Sequence, residues 1–139
     1  MKYFIIAVSI MFFSSCDSSK LNEIPDSQFV GVWGLVDRGM FENIEIEIVK
    51  EKNGNFSGVV KKLNDDKYVK MFMEVDDKFV TNIKRNSNFE FVMSEKKIAA
   101  PLFSAYGQST TKEFKVTFDG KDKILIGSNG ADGAYIRIK

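Results

Sequence analysis

Apolar and polar side chains alternate along most of the chain from residue 28 onward. In residues 43–50, isoleucine occupies three alternate positions and glutamate lies at the two positions between them. Segments 88–93 and 112–118 repeat this period with phenylalanine, methionine and valine. A period of two is typical of strands with one buried and one wet face. The pattern predicts strands at residues 29–36, 42–50, 55–63, 67–75, 78–84, 88–95, 112–118, 122–127 and 133–138.

The breaks between these segments favour tight turns. Asn-Gly or Asp-Gly pairs occur at residues 53–54, 119–120, 129–130 and 132–133, and such pairs tolerate the positive φ of hairpin turns. No segment has a convincing helical stripe, and residues 97–111 read as either a short strand or a loop, because Pro101 lacks a ladder donor. The sequence therefore predicts an all-β fold, an up-and-down antiparallel meander barrel of about eight strands.

The apolar face of the predicted strands would line the interior of this barrel. Such a lining suits a small hydrophobic ligand, and methionine adapts to varied shapes. An eight-stranded barrel is just wide enough either to hold one small ligand or to be filled by side chains, so a dry packed core is the alternative. The candidate ligand-binding residues are Ile46, Phe56, Met71, Met73, Phe79, Phe89, Phe91, Phe114 and Phe118.

The first predicted strand carries Gly31-Val32-Trp33, and the last carries Arg137. The Gly-x-Trp at this position resembles the signature of lipocalins and their calycin relatives. The resemblance implies that Arg137 covers the indole of Trp33, closing a lipocalin-like barrel, and that these residues are structural. Otherwise, Trp33 is an ordinary core residue and Arg137 a surface charge. The chain departs from lipocalins in its short domain, with no second motif, disulfide or C-terminal helix.

The N-terminus has the features of an export signal. Lys2 precedes a mainly apolar run at residues 3–13, which is too short to span a bilayer. Phe13-Ser14-Ser15-Cys16 then resembles the lipobox of bacterial lipoproteins, although leucine and glycine or alanine are commoner before the cysteine. This resemblance implies a signal peptide at 1–15 and a diacylglyceryl group on Cys16. Cleavage that leaves a free thiol is the alternative. Polar residues 16–27 are expected to form a flexible tether to a domain at 28–139.

Charge and composition exclude several functions. Loss of residues 1–15 removes Lys2 and no acid, so the 20 basic and 19 acidic side chains become 19 of each. This balance argues against nucleic-acid binding. The chain has no histidine and one cysteine, which leaves no Ser-His-Asp arrangement and no histidine metal site. We expect no catalytic residue, no metal site and no cofactor.

These features together predict a monomeric, membrane-anchored lipoprotein of the bacterial cell envelope, in the outer membrane rather than the inner. Its lipocalin-like barrel is expected to bind a small hydrophobic molecule. Two alternatives remain open from the sequence. One is a protein-binding module such as a protease inhibitor, and the other is a structural envelope lipoprotein without a ligand.

Overall fold

The computed structural model describes residues 23–139, which form a closed barrel of eight antiparallel strands in sequence order. Each strand pairs with its neighbours along the chain, and the last pairs with the first, where Trp33 lies opposite Arg137. This confirms the predicted all-β up-and-down barrel. The strands are β1 Gly31–Val36, β2 Glu45–Lys50, β3 Phe56–Lys62, β4 Lys78–Arg85, β5 Glu90–Lys96, β6 Thr111–Phe118, β7 Lys123–Ile126 and β8 Ala134–Arg137.

Two short helices connect strands at one end of the barrel. Helix α1 spans Lys67–Phe72 between β3 and β4, and α2 spans Ala100–Ala105 between β5 and β6. Pro101 lies in the first turn of α2, where a missing N–H costs nothing. Short 3-10 turns occur at Asp26–Phe29, Gly39–Phe41 and Ser128–Gly130. The ambiguous segment 97–111 therefore contains a helix.

Helix α1 overturns the prediction of a strand at residues 67–75. The Asp66 carboxylate caps the helix by accepting hydrogen bonds from the backbone N–H groups of Tyr68, at 2.8 Å, and Val69, at 3.1 Å. Val69 and Met73 are buried four residues apart, which is the spacing of one helical face. Met71 lies off that face and is 67% exposed, so its assignment to the barrel interior is wrong.

Phe89 is also misplaced by the sequence analysis. It lies in the turn between β4 and β5 and is 54% exposed. The hydroxyl oxygen of Ser87 accepts hydrogen bonds from the backbone N–H groups of Phe89 and Glu90, and the Asn86 N–H donates to the Glu90 carbonyl. Because of this turn, β5 begins at Glu90, and Phe89 is not part of the strand.

Aromatic side chains fill one end of the barrel interior. The ring of Phe29 lies 4.7 Å from both Phe91 and Phe118 and 6.0 Å from Phe56, measured between centroids. Phe118 in turn lies 6.4 Å from Trp33. The hairpins at residues 51–55, 86–89 and 119–122 surround this end, which we call the closed end. The loops that carry α1 and α2 surround the opposite, open end.

Trp33 and Arg137 close the barrel. The buried indole donates a hydrogen bond to the Phe29 carbonyl at 2.8 Å, and the Arg137 guanidinium lies 4.3 Å from the ring centroid. Arg137 also donates to the carbonyls of Val30 and Gln28. Gly31 has φ +144°, and a Cβ there would lie 2.5 Å from Arg137 Nη1. Only glycine leaves room for this guanidinium.

Part of the segment predicted as a flexible tether is fixed to the closed end. The Arg85 guanidinium pairs with the carboxylates of Glu23 and Asp26 and donates to the Ile24 carbonyl. The Ile24 N–H donates to the Asn88 carbonyl at 3.0 Å. Residues 23–27 are therefore bound to the barrel. The signal peptide, Cys16 and the rest of the tether lie outside the described residues, and those assignments stay predictions.

Candidate functional site

A pocket of about 520 Å³ opens at the open end of the barrel. Its walls come from the segment after β1, from β4, from the end of β5 and α2, from β6, and from the loop before β8. This volume lies within the usual range of about 300–1,000 Å³ for small-molecule sites. The aromatic filling of the closed end thus stops short of the mouth.

The walls of the pocket are mainly apolar. Phe41 and Phe79 meet edge to face with their centroids 5.4 Å apart, which fixes both rings. Phe103 reaches the pocket from α2, while Ile98 comes from the segment just before that helix. The apolar lining residues are Met40, Phe41, Phe79, Ile98, Phe103, Phe114 and Ala131.

An ion pair forms the polar part of the floor. Arg38 donates two parallel hydrogen bonds to Glu95, from Nη1 to Oε1 at 2.7 Å and from Nη2 to Oε2 at 2.5 Å. The side chains of Arg38 and Glu95 are only 6% and 4% exposed. The hydroxyl of the fully buried Tyr135 donates to Glu95 Oε1 at 2.8 Å. Two-point geometry of this kind is the strongest form of arginine–carboxylate pair.

Local backbone structure positions this ion pair. Glu95 shares the inward face of β5 with Met93 and Phe91, two and four residues earlier. Arg38 follows β1, where Asp37 adopts a left-handed φ of 56° and turns the chain inward across the mouth. The Arg38 N–H donates to the Glu42 carboxylate at 3.0 Å, which holds this turn.

The neighbouring glycine gives the arginine space. Gly133 has φ +104°, and a Cβ there would collide with Arg38 Cδ and with the carbonyl of Asp37. The Arg38 guanidinium also lies 5.3 Å from the Phe114 ring centroid and 5.8 Å from that of Tyr135. Its position is therefore set by backbone, carboxylate and two aromatic faces.

Burial and the charge of Glu95 shift the pKa values of Arg38 and Tyr135. Burial alone lowers the pKa of Arg38, but the hydrogen bonds and charge of Glu95 outweigh it and hold that pKa above its ordinary value. Burial raises the pKa of the Tyr135 hydroxyl well above its usual range, and the negative charge of Glu95 raises it further. Arg38 therefore stays charged and Tyr135 stays neutral under physiological conditions.

Three lysines stand at the rim of the pocket, on the side formed by β5 and β6. Lys97 Nζ lies 4.6 Å from the Phe103 ring centroid, and Lys112 Nζ lies 5.0 Å from that of Phe114. Lys96 is exposed beside them. None of the three forms an ion pair with a carboxylate of residues 23–139. Asp37 and Asp132 line the pocket from the side of β1 and β8.

A second, smaller pocket of about 120 Å³ adjoins the first. It lies between the end of α1 and the start of α2, and Met73 and Ala100 are among its walls. The two pockets share Phe79 and residues 96–98. The smaller pocket therefore extends the first along the helix-covered side of the mouth.

The structure divides the nine predicted ligand-binding residues among four places. Phe79 and Phe114 line the larger pocket, and Met73 lines the smaller one. Met71 and Phe89 are exposed, as described above. The remaining four point into the barrel interior, as predicted, but belong to the packed core or lie against it and line neither of these two pockets, so a ligand-binding role for them stays a prediction: Ile46, Phe56, Phe91 and Phe118.

The sequence analysis missed the polar floor. Glu95 could have been found, because it continues the alternation of Phe91 and Met93 by one more step. Tyr135 likewise shares a strand face with Arg137. Arg38 has no comparable signal, since it lies outside any strand and reaches Glu95 across 57 residues of sequence.

The described part of the chain shows no sign of a metal centre or a membrane-spanning helix. Within it, no group of three or more His, Cys, Asp and Glu side chains is arranged to hold a metal ion. None of the helices in residues 23–139 has the length and apolar character needed to cross a membrane. Every buried side-chain nitrogen or oxygen in this region has a hydrogen-bond partner.

Comparison with known proteins does not assign the chain to a family. The chain has no significant match among protein-family models, curated proteins or solved structures. Its class is therefore defined by its own architecture, a closed eight-stranded up-and-down β-barrel with a pocket at one end. The lipocalin resemblance of Gly31, Trp33 and Arg137 remains a prediction.

Proposed function

We propose that the protein is a lipid-anchored binding protein that holds a small, mainly apolar molecule in the pocket at the open end of its barrel. The observation that carries this proposal is the aromatic pocket of about 520 Å³ above a packed core. Binding replaces water on Phe41, Phe79 and Phe114, which stabilises the complex by about 25 cal/mol for each Å² of apolar surface removed from water.

The pocket has the further property of being preformed. Phe41 and Phe79 pack against each other, and the ion pair between Arg38 and Glu95 fixes the floor. Little ordering is therefore required when a ligand enters, and preorganisation of this kind favours affinity. No part of the proposal requires a catalytic step.

Ligand binding can be tested by titration with a hydrophobic fluorescent dye and by native mass spectrometry of protein isolated from its own cells. Ala131 lines the larger pocket, so Ala131→Phe adds a ring at its wall, whereas Ala105→Phe adds the same ring on the exposed end of α2, outside both pockets. We expect saturable binding of one dye molecule, weakened at least ~10-fold by Ala131→Phe alone. The proposal fails if binding is not saturable, or if both variants behave alike.

The proposed anchor is the lipid on Cys16. The lipobox-like residues 13–16 support it, as does the attachment of residues 23–29 to the closed end, because the described chain enters the barrel at the end opposite the pocket. Intact mass should show loss of residues 1–15 and gain of a diacylglyceryl group. Cys16→Ser should move the protein from the membrane fraction to the soluble fraction. An unmodified Cys16 would refute the anchor without affecting the pocket.

A second candidate function is binding of a protein partner. It is favoured by the exposed apolar side chains near the open end, since Tyr106 is 81% exposed and Leu102 on α2 is 57% exposed. In this case Leu102→Glu should abolish capture of a specific partner while leaving dye binding intact. If Leu102→Glu captures the same proteins as the unchanged chain, this candidate fails.

A further inference from the structure

The floor of the pocket is electrically balanced. Arg38 and Glu95 neutralise each other at hydrogen-bond distance, and both are almost fully buried. Tyr135 donates its only hydroxyl proton to the same carboxylate. A ligand anion that approached Arg38 would have to displace Glu95 and leave that carboxylate buried without its partner. The floor therefore disfavours a charged group and accepts an uncharged end.

The rim has the opposite character. Lys96, Lys97 and Lys112 stand together where β5 ends and β6 begins, and none has a carboxylate partner among the described residues. Two of their ammonium groups lie over Phe103 and Phe114, whose rings also line the pocket. An anion at this rim would meet these ammonium groups while the apolar body attached to it touched the aromatic walls.

The acids of the lining do not cancel this lysine group. Asp37 follows β1 and Asp132 precedes β8, and these two strands are neighbours in the barrel. In the ring of eight strands, β5 is four strands from β1, so Lys96 and the adjacent Lys97 lie on the side opposite Asp37. Lys112 is in β6, which is two strands from β8 and therefore lies between the two sides. The rim is therefore cationic at β5 and β6 and anionic at β1 and β8.

From this arrangement we infer that the occupant of the pocket is an anionic amphiphile, bound with its apolar end against the floor and its anionic group at the three-lysine rim. This inference rests on the proposed binding function and adds the ligand class and its orientation. A carboxylate with an unbranched or ring-containing apolar body has the required chemistry. Because the ammonium groups face solvent, the charge preference is expected to weaken as ionic strength rises.

The test compares three probes with the same apolar chain: decanoate, decanol and decylammonium. Each competes with the hydrophobic dye below its micelle concentration, on the Cys16→Ser variant, which carries no acyl chain of its own. We expect decanoate to bind roughly 10-fold more tightly than decanol at low salt, and decylammonium more weakly than both. High salt should reduce the advantage of decanoate and leave the affinity for decanol nearly unchanged.

Variants at the rim separate the two proposals. A variant that combines Lys96→Gln, Lys97→Gln and Lys112→Gln should lower decanoate affinity to that of decanol, whose own binding stays the same. Lys52→Gln, at the exposed β2–β3 turn of the closed end, is the matched control and should change neither. Equal affinity of the unchanged protein for decanoate and decanol, or a decanoate preference that survives all three lysine substitutions, overturns this inference and leaves the apolar pocket standing. Failure of all three probes to bind overturns the proposed function itself.

Discussion

The ion pair between Arg38 and Glu95 is expected to be the most sensitive polar contact of the barrel. Glu95→Gln keeps the shape of the side chain and removes its charge. Arg38 does not respond by losing its proton, because the ordinary pKa of arginine is so high that its guanidinium stays charged in proteins, and its side chain is only 6% exposed. The variant therefore leaves a buried charge without its partner.

Loss of one partner of a buried ion pair typically costs about 3–5 kcal/mol of unfolding free energy. Small domains have only about 5–15 kcal/mol in total. With a urea dependence of about 2 kcal/mol per molar, a loss of ~4 kcal/mol lowers the unfolding midpoint by roughly 2 M. Trp33, the only tryptophan and fully buried, reports the transition by its fluorescence.

Two comparisons make this prediction specific. Glu113→Gln removes an exposed carboxylate from the neighbouring strand β6 and should change stability by less than about 0.5 kcal/mol. Replacing the whole network by Arg38→Met, Glu95→Leu and Tyr135→Phe leaves no buried charge or hydroxyl without a partner. This triple variant should be more stable than Glu95→Gln alone. A midpoint for Glu95→Gln within experimental error of the unchanged protein would refute the reasoning.

Three further predictions address the closure, helix α1 and the buried tyrosine. Gly31→Ala should destabilise the fold by more than about 2 kcal/mol, because the φ of Gly31 is +144° and an added Cβ would overlap Arg137. Gly34→Ala should cost less, since the atom nearest to its added Cβ is the flexible end of a side chain at 3.2 Å. Asp66→Ala should lower the free energy of unfolding by about 0.5–2 kcal/mol, because it removes the helix cap. Asp65→Ala, which breaks only an exposed ion pair, should leave it almost unchanged. Equal losses of stability in chemical denaturation would contradict the capping role. Because burial raises the pKa of Tyr135, the folded protein keeps a proton that the unfolded chain releases above about pH 10, so stability should fall as pH rises past that point. Tyr135→Phe should fall less steeply over the same range, and identical slopes in urea titrations at several pH values would contradict this.

Local pattern was enough to predict the architecture, although it failed at two segments. Residues 71–75 alternate like a strand, yet α1 covers residues 67–72, because Asp66 satisfies two free N–H groups of its first turn. The burial of Val69 and Met73, at helical spacing, outweighs the weak alternation of the segment. The turn at Ser87 similarly excludes Phe89 from β5.

The pocket was less predictable than the fold. Alternation marks which side chains point inward, but it does not tell how far an aromatic core fills the barrel. Phe29 precedes β1 and folds under the closed end, where it meets Phe91 and Phe118. Their packed rings occupy the interior near the closed end. The open space remains only near Phe79 and Phe114, beneath loops whose course no periodic pattern describes.

The sequence by itself determined the all-β class, the meander order and the closure residues Gly31, Trp33 and Arg137. The class and the strand order depend on local alternation and turn chemistry, which act over a few residues, whereas the closure residues were predicted from the resemblance of one short motif to a known signature. Only the tertiary structure decided where the cavity lies, which lysines share its rim, and that Glu95 points inward to meet Arg38. Those features depend on contacts between residues that are far apart in the chain, and a barrel brings them together only when it closes.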